Sequence, residues 1–190
     1  MATAPPLAAA LRVPLPFPAS LRYDRLVDVV VEPLSNSPQA VPTVAEWHFS
    51  EWGHTDPGGS LEGWTAGLAK QATADRVPGT LIALAGGTPV AVICLVPQDM
   101  PGYGPVARLT PWIKGLYVIP SARRKGVGGL LVRRCEAWAA SLGHEAVYLY
   151  TERGSAAQAL YERLGWRAID AASYDGIAVT VMRTSLAAQR

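Results

Sequence analysis

The chain has 190 residues, 49% of them hydrophobic and 17% charged, with a formal net charge of +2. That length fits one domain with a substantial core, and so small a charge excludes a protein whose whole surface grips nucleic acid. Any basic function is local.

Cys94 and Cys135 lie in apolar stretches without metal or redox spacing, and read as reduced core thiols. His48, His54 and His144 have no Cys, Asp or Glu pattern around them, so no metal is expected. No apolar run is long enough to cross a membrane. The opening "MATAPPLAAALRVPLPFPAS" is broken by five prolines and has no basic residue ahead of its apolar part. It reads as a flexible tail over residues 1–22 rather than a signal peptide, ahead of a single cytoplasmic domain over 23–190.

"RLVDVVVEPL" (25–34) is short and β-branched, a first strand closed by Pro33 and "SNSP". Val41, Val44, Ala45, His48 and Trp52 recur at helical spacing over 40–52. After "TDPGG", Leu61, Trp64, Leu68 and Ala72 mark a second helix, with Ser60 as N-cap and Glu62 in its first turn. "TLIALA", "GGTP" and "VAVICLV" then read as a hairpin. "PQDMPGYGP" is a loop, and "PWIKGLYVIP" is a strand bounded by prolines. A helix follows with Leu131, Cys135, Trp138 and Leu142 on one face, stopped by Gly143. "AVYLYT" is a strand, and "SAAQALYERLGW" is a short helix with Ser155 and Gln158 as a capping box and Gly165 as its stop. "WRAID" and "IAVTVM" close the chain as strands around a turn at "YDG". Such an order gives a mixed α/β sheet with one strand-helix-strand crossover in its middle.

Chemistry concentrates in "SARRKGVGGLL" (121–131), between a strand end and a helix start. The first amides of a helix lack partners within it and carry partial positive charge. Glycines at 126, 128 and 129 let an anion approach those amides, and Arg123, Arg124 and Lys125 add mobile charge. The geometry suits a diphosphate. The Walker pattern fails for want of a trailing Lys-Ser/Thr, and the dinucleotide fingerprint fails at Leu131.

Arg123-x-x-Gly126-x-Gly128, preceded by "GLYVIP", resembles the acyl-CoA-binding signature of the GNAT superfamily of N-acyltransferases. "ALYERLGW" resembles that family's Leu-Tyr-x-x-x-Gly-aromatic segment, and the two stand in the family's order. The likeness runs over about residues 79 to 183, and before that rests on element order alone. It implies an α/β (α+β) fold: a mostly antiparallel sheet of six to seven strands, flanking helices and a central strand-helix-strand acyl-CoA-binding unit. It also implies that the fourth and fifth strands splay to admit the cofactor.

By the same resemblance, acetyl-CoA is the acyl donor and no metal takes part. Main-chain groups of Leu116, Tyr117 and Val118 would pair with the pantetheine arm, and amides from Arg124 through Lys125, Gly126, Val127 and Gly128 to Gly129 would hold the pyrophosphate. Tyr161 would assist the departing thiolate. An asparagine common in the family seven residues before that tyrosine is Gly154 here, with Ser155 as the substitute cap and polar contact. Some members carry a carboxylate base six residues before the position of Val118, where this chain has Trp112. Asp99, Glu152, His48 or a water chain then become the candidates for the base, and Asp99 and Trp112 the candidates on the acceptor side. Trp112 also reads as packing, and Trp47, Trp52 and Trp64 fit either an acceptor pocket or a core.

The expected reaction is direct attack by a primary amine in a ternary complex without a cysteine acyl-enzyme, the amine being a small molecule's, with a protein N-terminus or lysine as the alternative. The rival reading is a non-catalytic acyl-CoA sensor using the same pocket. Neither nucleic acid nor membrane is an expected partner, and the protein is expected to be a monomer or homodimer.

Overall fold

The computed structural model describes residues 29–186. The expected tail, residues 25–28 of the first strand and the last four residues lie outside that range. Eleven regular elements follow in the order read from the sequence: β1 (Val29–Pro33), α1 (Val41–Trp52), α2 (Leu61–Lys70), β2 (Gly79–Ala85), β3 (Thr88–Val96), β4 (Trp112–Val118), α3 (Val127–Ser141), β5 (Ala146–Glu152), α4 (Ala156–Arg163), β6 (Arg167–Tyr174) and β7 (Ile177–Ser185).

Local chemistry sets the boundaries. Ser60 Oγ accepts from the Gly63 amide at 3.1 Å, and Ser155 Oγ accepts from the Gln158 amide at 3.1 Å, so both helices begin on the side-chain caps expected. Gln158 closes its box one residue early, its Oε1 accepting from the Gly154 amide at 2.9 Å. Both hairpins turn on two residues in left-handed backbone, Gly86–Gly87 and Asp175–Gly176, the conformation that matches strand twist.

The strands form one sheet in the order β1-β2-β3-β4-β5-β7-β6. Every pairing is antiparallel except β4 with β5, which is parallel and holds at a single register point, Trp112 opposite Tyr148. Beyond that point the two strands part, which is the splay expected.

Alternating side chains feed two cores, one on each face of the sheet. Leu81, Ile93, Ile113, Val147 and Leu149 pack against Leu131, Cys135 and Tyr161 of α3 and α4. Ile82, Val92, Trp112 and Val181 pack on the other face against Val41, Val44 and Leu68 of α1 and α2.

A polar link ties α3 to the end of α4 within the first core. Buried Glu136 accepts from the Trp166 indole at 2.7 Å through Oε1 and from Arg133 at 2.8 Å through Oε2. Arg133 in turn donates to the Leu164 carbonyl at 2.7 Å. Trp166 rests against the Tyr161 ring, with centroids 5.6 Å apart. Here a tryptophan does what a phenylalanine cannot, because its N–H reaches the carboxylate. Trp166→Phe is therefore expected to lower stability by about 1–3 kcal/mol, since it leaves a buried acceptor short of a donor, and urea unfolding measures the loss.

Candidate active site

One residue decides how β4 meets its surroundings. Val92 pairs with Tyr117 and Cys94 with Lys114, so two residues of β4, Gly115 and Leu116, stand opposite Ile93 alone. That is a β-bulge, and it shifts the strand's alternation by one. Before it, Trp112 faces the α1/α2 core; after it, Tyr117 faces that side while Leu116 and Val118 face α3. Gly115 adopts φ +59°, a backbone that side chains rarely take.

Helix α1 holds the bulge in place. His48 is buried and its Nε2–H donates to the Gly115 carbonyl at 3.0 Å, while a Cβ on Gly115 would lie only 3.0 Å from His48 Cε1. The imidazole sits edge-on to Trp52 at 5.2 Å, and Trp47 leans on Tyr117 at 5.5 Å. Burial lowers the His48 pKa to about 4, outweighing the Gly115 hydrogen bond that raises it. His48 is thus a neutral donor committed to backbone.

Past the bulge a cleft of about 800 Å³ opens between β4, α3 and α4. Leu116, Tyr117, Val118, Arg123, Arg124, Gly126, Gly128 and Gly129 all line it, joined by Glu51 and Trp52 of α1 and by Leu160 and Arg163 of α4. The loop is held open by Gly126 at φ +88° and by Arg124 at φ +61°, a left-handed conformation unusual for a side-chain-bearing residue. Arg123 donates from Nε to the Val118 carbonyl at 2.9 Å and lies 5.7 Å over the Tyr117 ring. A Cβ on Gly128 would meet Leu160 and Val118 at 3.6 Å, ordinary contact, so internal packing does not demand glycine there.

The remaining candidates lie outside this lining. Lys125 is exposed beside it, and Val127 is buried behind it. Ser155 is spent on capping α4 and on a 3.3 Å contact with Thr151 Oγ1. Tyr161 is 6% exposed in the core behind Leu160, and no described residue bonds its hydroxyl. Burial pushes its phenol well up, with smaller pushes from Cys135 and Asp99, so the hydroxyl keeps its proton. Trp112 is fully buried, and its indole donates to the Leu109 carbonyl at 2.6 Å. Glu152 is exposed at the far end of β5. Burial raises both cysteine thiols, which leaves neither poised as a nucleophile.

Asp99 sits on the sheet face opposite α3. Its side chain is 8% exposed and pairs with Lys114 Nζ at 2.6 Å. Burial pushes its carboxyl up against the pull of Lys114; burial works to lower Lys114, but Asp99 keeps it above its ordinary value. Lys114 was not among the sequence candidates. Its signal was there, two residues beyond Trp112 on the same strand face.

Residues 41–166 match the model of the acetyltransferase (GNAT) family. No curated protein matches the sequence. A GNAT-family acetyltransferase from Streptococcus pneumoniae superposes with a TM-score of 0.63 at 19% identity, covering 84% of this chain and 100% of that one. An aminoglycoside 6'-N-acetyltransferase complexed with coenzyme A gives 0.66 at 16% identity, with 85% and 99% covered. An aminoglycoside 6'-N-acetyltransferase from Enterococcus faecium gives 0.62 at 16%, again with 85% and 99% covered.

The His48 contact predicts a pH dependence of known sign. The unfolded imidazole binds its proton near 6.5 and the folded one only near 4, so the unfolded state gains protons first as pH falls. His48 therefore leaves stability intact above about pH 6.5 and withdraws about 2 kcal/mol of it by about pH 5. Denaturant unfolding across that range should show the loss, and His48→Gln, which keeps a donor for Gly115 but does not titrate, should remove it.

The strand order, the parted β4 and β5, the glycine loop at the head of α3 and the matched span from α1 to the end of α4 agree on one conclusion: this chain belongs to the GNAT acetyltransferase family and is an N-acetyltransferase.

Proposed function

We propose that the protein transfers an acetyl group from acetyl-CoA to a primary amine of a small molecule while both substrates are bound. One observation carries this reading. One cleft is lined both by Leu116–Val118, where among the described residues no strand pairs β4 on its β5 side, and by the loop of Arg123, Arg124, Gly126, Gly128 and Gly129. An extended amide-bearing arm pairs with the first, and a diphosphate suits the amides and cations of the second.

The pantetheine arm takes the place along β4 that a neighbouring strand would fill. It brings the thioester to the vertex where β4 and β5 part. Tyr161, protonated and with no described residue bonded to its hydroxyl, supplies a hydrogen bond to the sulfur as the carbon–sulfur bond weakens. Most of the acceleration comes from holding the amine against the carbonyl carbon. Direct transfer follows from the lack of a usable thiol, both cysteines being buried and raised in pKa. A small-molecule acceptor agrees with the aminoglycoside acetyltransferases that share the fold.

Gly128→Ala separates binding from folding, because the added methyl meets only ordinary contacts within the protein. It is expected to leave the unfolding midpoint in place and to weaken coenzyme A by about tenfold or more, roughly 1.4 kcal/mol, measured by calorimetry. Unchanged affinity would remove the loop from the cofactor site. Tyr161→Phe should lower kcat by about 10- to 100-fold with little change in KM for acetyl-CoA, as read from thiol release.

A further inference from the structure

The vertex of the parted strands has a second face. Trp112 and Tyr148 are the last paired residues of β4 and β5, so the next same-face pair, Lys114 and Tyr150, flanks the opening itself. Both belong to the α1/α2 side of the sheet, as their neighbours Cys94, Trp112 and Tyr148 do. Tyr161 belongs to the core on the other, α3/α4, side of the sheet.

Three further groups gather with Lys114. Asp99 reaches it from the β3–β4 loop at 2.6 Å. Tyr174, at the end of β6, meets the Tyr150 ring edge-on at 5.5 Å. Burial, and after it the Asp99 charge among others, raises the phenols of Tyr150, Tyr174 and Tyr161.

The loop that carries Asp99 is fastened at several points. The Tyr103 hydroxyl donates to Asp170 Oδ2 at 2.9 Å, and the Tyr174 hydroxyl donates to the Pro101 carbonyl at 3.2 Å. Gln98 accepts from the Asp99 and Met100 amides at 2.8 and 2.9 Å, and Met100 is fully buried. A loop anchored to β6 and to the core delivers one carboxylate to one place. Lys114 is the only described partner of that carboxylate, which has room for about four donors. Most of its acceptor capacity is open.

We propose that Asp99, paired with Lys114 on the loop that Tyr174 fastens, is the site that receives the ammonium group of the acceptor and takes its first proton. The inference rests on the donor reading above and names the acceptor's chemistry: a primary ammonium, held by a carboxylate, that enters from the side of the sheet opposite the cofactor. The carboxylate attracts the cation. Lys114 disfavours a second full positive charge at the same place, which eases loss of the proton, as a neighbouring cation does for an amine nucleophile.

The step balances. One ammonium proton passes to Asp99, and the freed nitrogen lone pair forms the C–N bond to the thioester carbonyl carbon. The tetrahedral adduct collapses, and the C–S bond breaks with its electron pair going to sulfur. The nitrogen's second proton ends on that sulfur, giving amide and free thiol.

The test uses the full chain, acetyl-CoA and five amine probes: n-propylamine, 2-phenylethylamine, spermidine, a lysine-bearing tetrapeptide and a tetrapeptide with a free N-terminus. Asp99→Asn should leave acetyl-CoA affinity within about twofold of wild type by calorimetry. It should lower kcat/KM for every amine that the wild type acetylates by about 100-fold or more. Asp99→Asn with Lys114→Gln keeps a neutral hydrogen-bonded pair and guards against a folding artefact; the same loss with the same cofactor affinity is expected. A variant within about threefold of wild type on its amines overturns the inference. So does a wild type that binds acetyl-CoA and acetylates none of the five. Failure of the wild type to bind acetyl-CoA overturns the donor reading instead.

Discussion

The arrangement depends on the backbone of Gly115. A strand's side chains alternate with a period of two, so one extra residue reverses every assignment beyond it. Without the bulge, Leu116 and Val118 would turn toward α1 and Tyr117 toward α3. With it, β4 serves both cores before the vertex and opens toward the cleft after it. The parting from β5 begins within the same few residues. A strand that leaves its neighbour exposes donors and acceptors that must be satisfied, and an extended ligand with amide groups is the chemistry that satisfies them.

Such an opening would close or collapse unless both walls were stiff. On one side α1 fixes the bulge through His48 and the strand beyond it through Trp47 on Tyr117, while Trp52 reaches the cleft. On the other, Glu136 joins α3 to Trp166, and Trp166 backs Tyr161. Each brace pairs a buried polar contact with an aromatic face. The hydrogen bond fixes direction, and the ring fills the volume that would let the contact slip. The helix that seems remote from the glycine loop in sequence thus sets the position of the strand that loop serves.

Much of this was legible in the sequence, and the reasons differ by residue. The elements and their order follow from periodicity, and Ser60, Ser155 and Gly143 mark helix ends through contacts within a few positions. The glycine loop was readable because a cluster of missing side chains has few structural uses. Register was not readable. Nothing in "PWIKGLYVIP" says that Gly115 bulges rather than merely weakens the strand, since the bulge exists only relative to Ile93 on another strand. His48 reads from the sequence as a packed residue or a candidate base and not as a brace, because its partner is a backbone carbonyl 67 positions away. Lys114 was passed over for the same reason: its meaning comes from Asp99, which a proline-glycine loop carries to it. Tyr161 reads as core or as chemistry, and it sits in the core with no described residue bonded to its hydroxyl.

The two ends of the site handle charge in opposite ways, and this bears on why position 112 is a tryptophan rather than a carboxylate. At the loop, Arg123, Arg124 and Lys125 are exposed, where solvent screens each of them and a multivalent anion is met by several modest contacts. On the other face a single carboxylate is almost fully buried, where one charge weighs more. Position 112 is fully enclosed beneath Tyr148 before the strands part, so a carboxylate there would be ionised without a partner. Trp112 fills the space instead and spends its one donor on Leu109. The strand's first chance to carry charge on that face comes two residues later, at Lys114, once the gap has opened. A half-exposed lysine beside two tyrosines needs a counter-ion, and the anchored β3–β4 loop brings Asp99 to it. A carboxylate carried by the loop thus finds a counter-charge that position 112, enclosed before the strands part, does not offer.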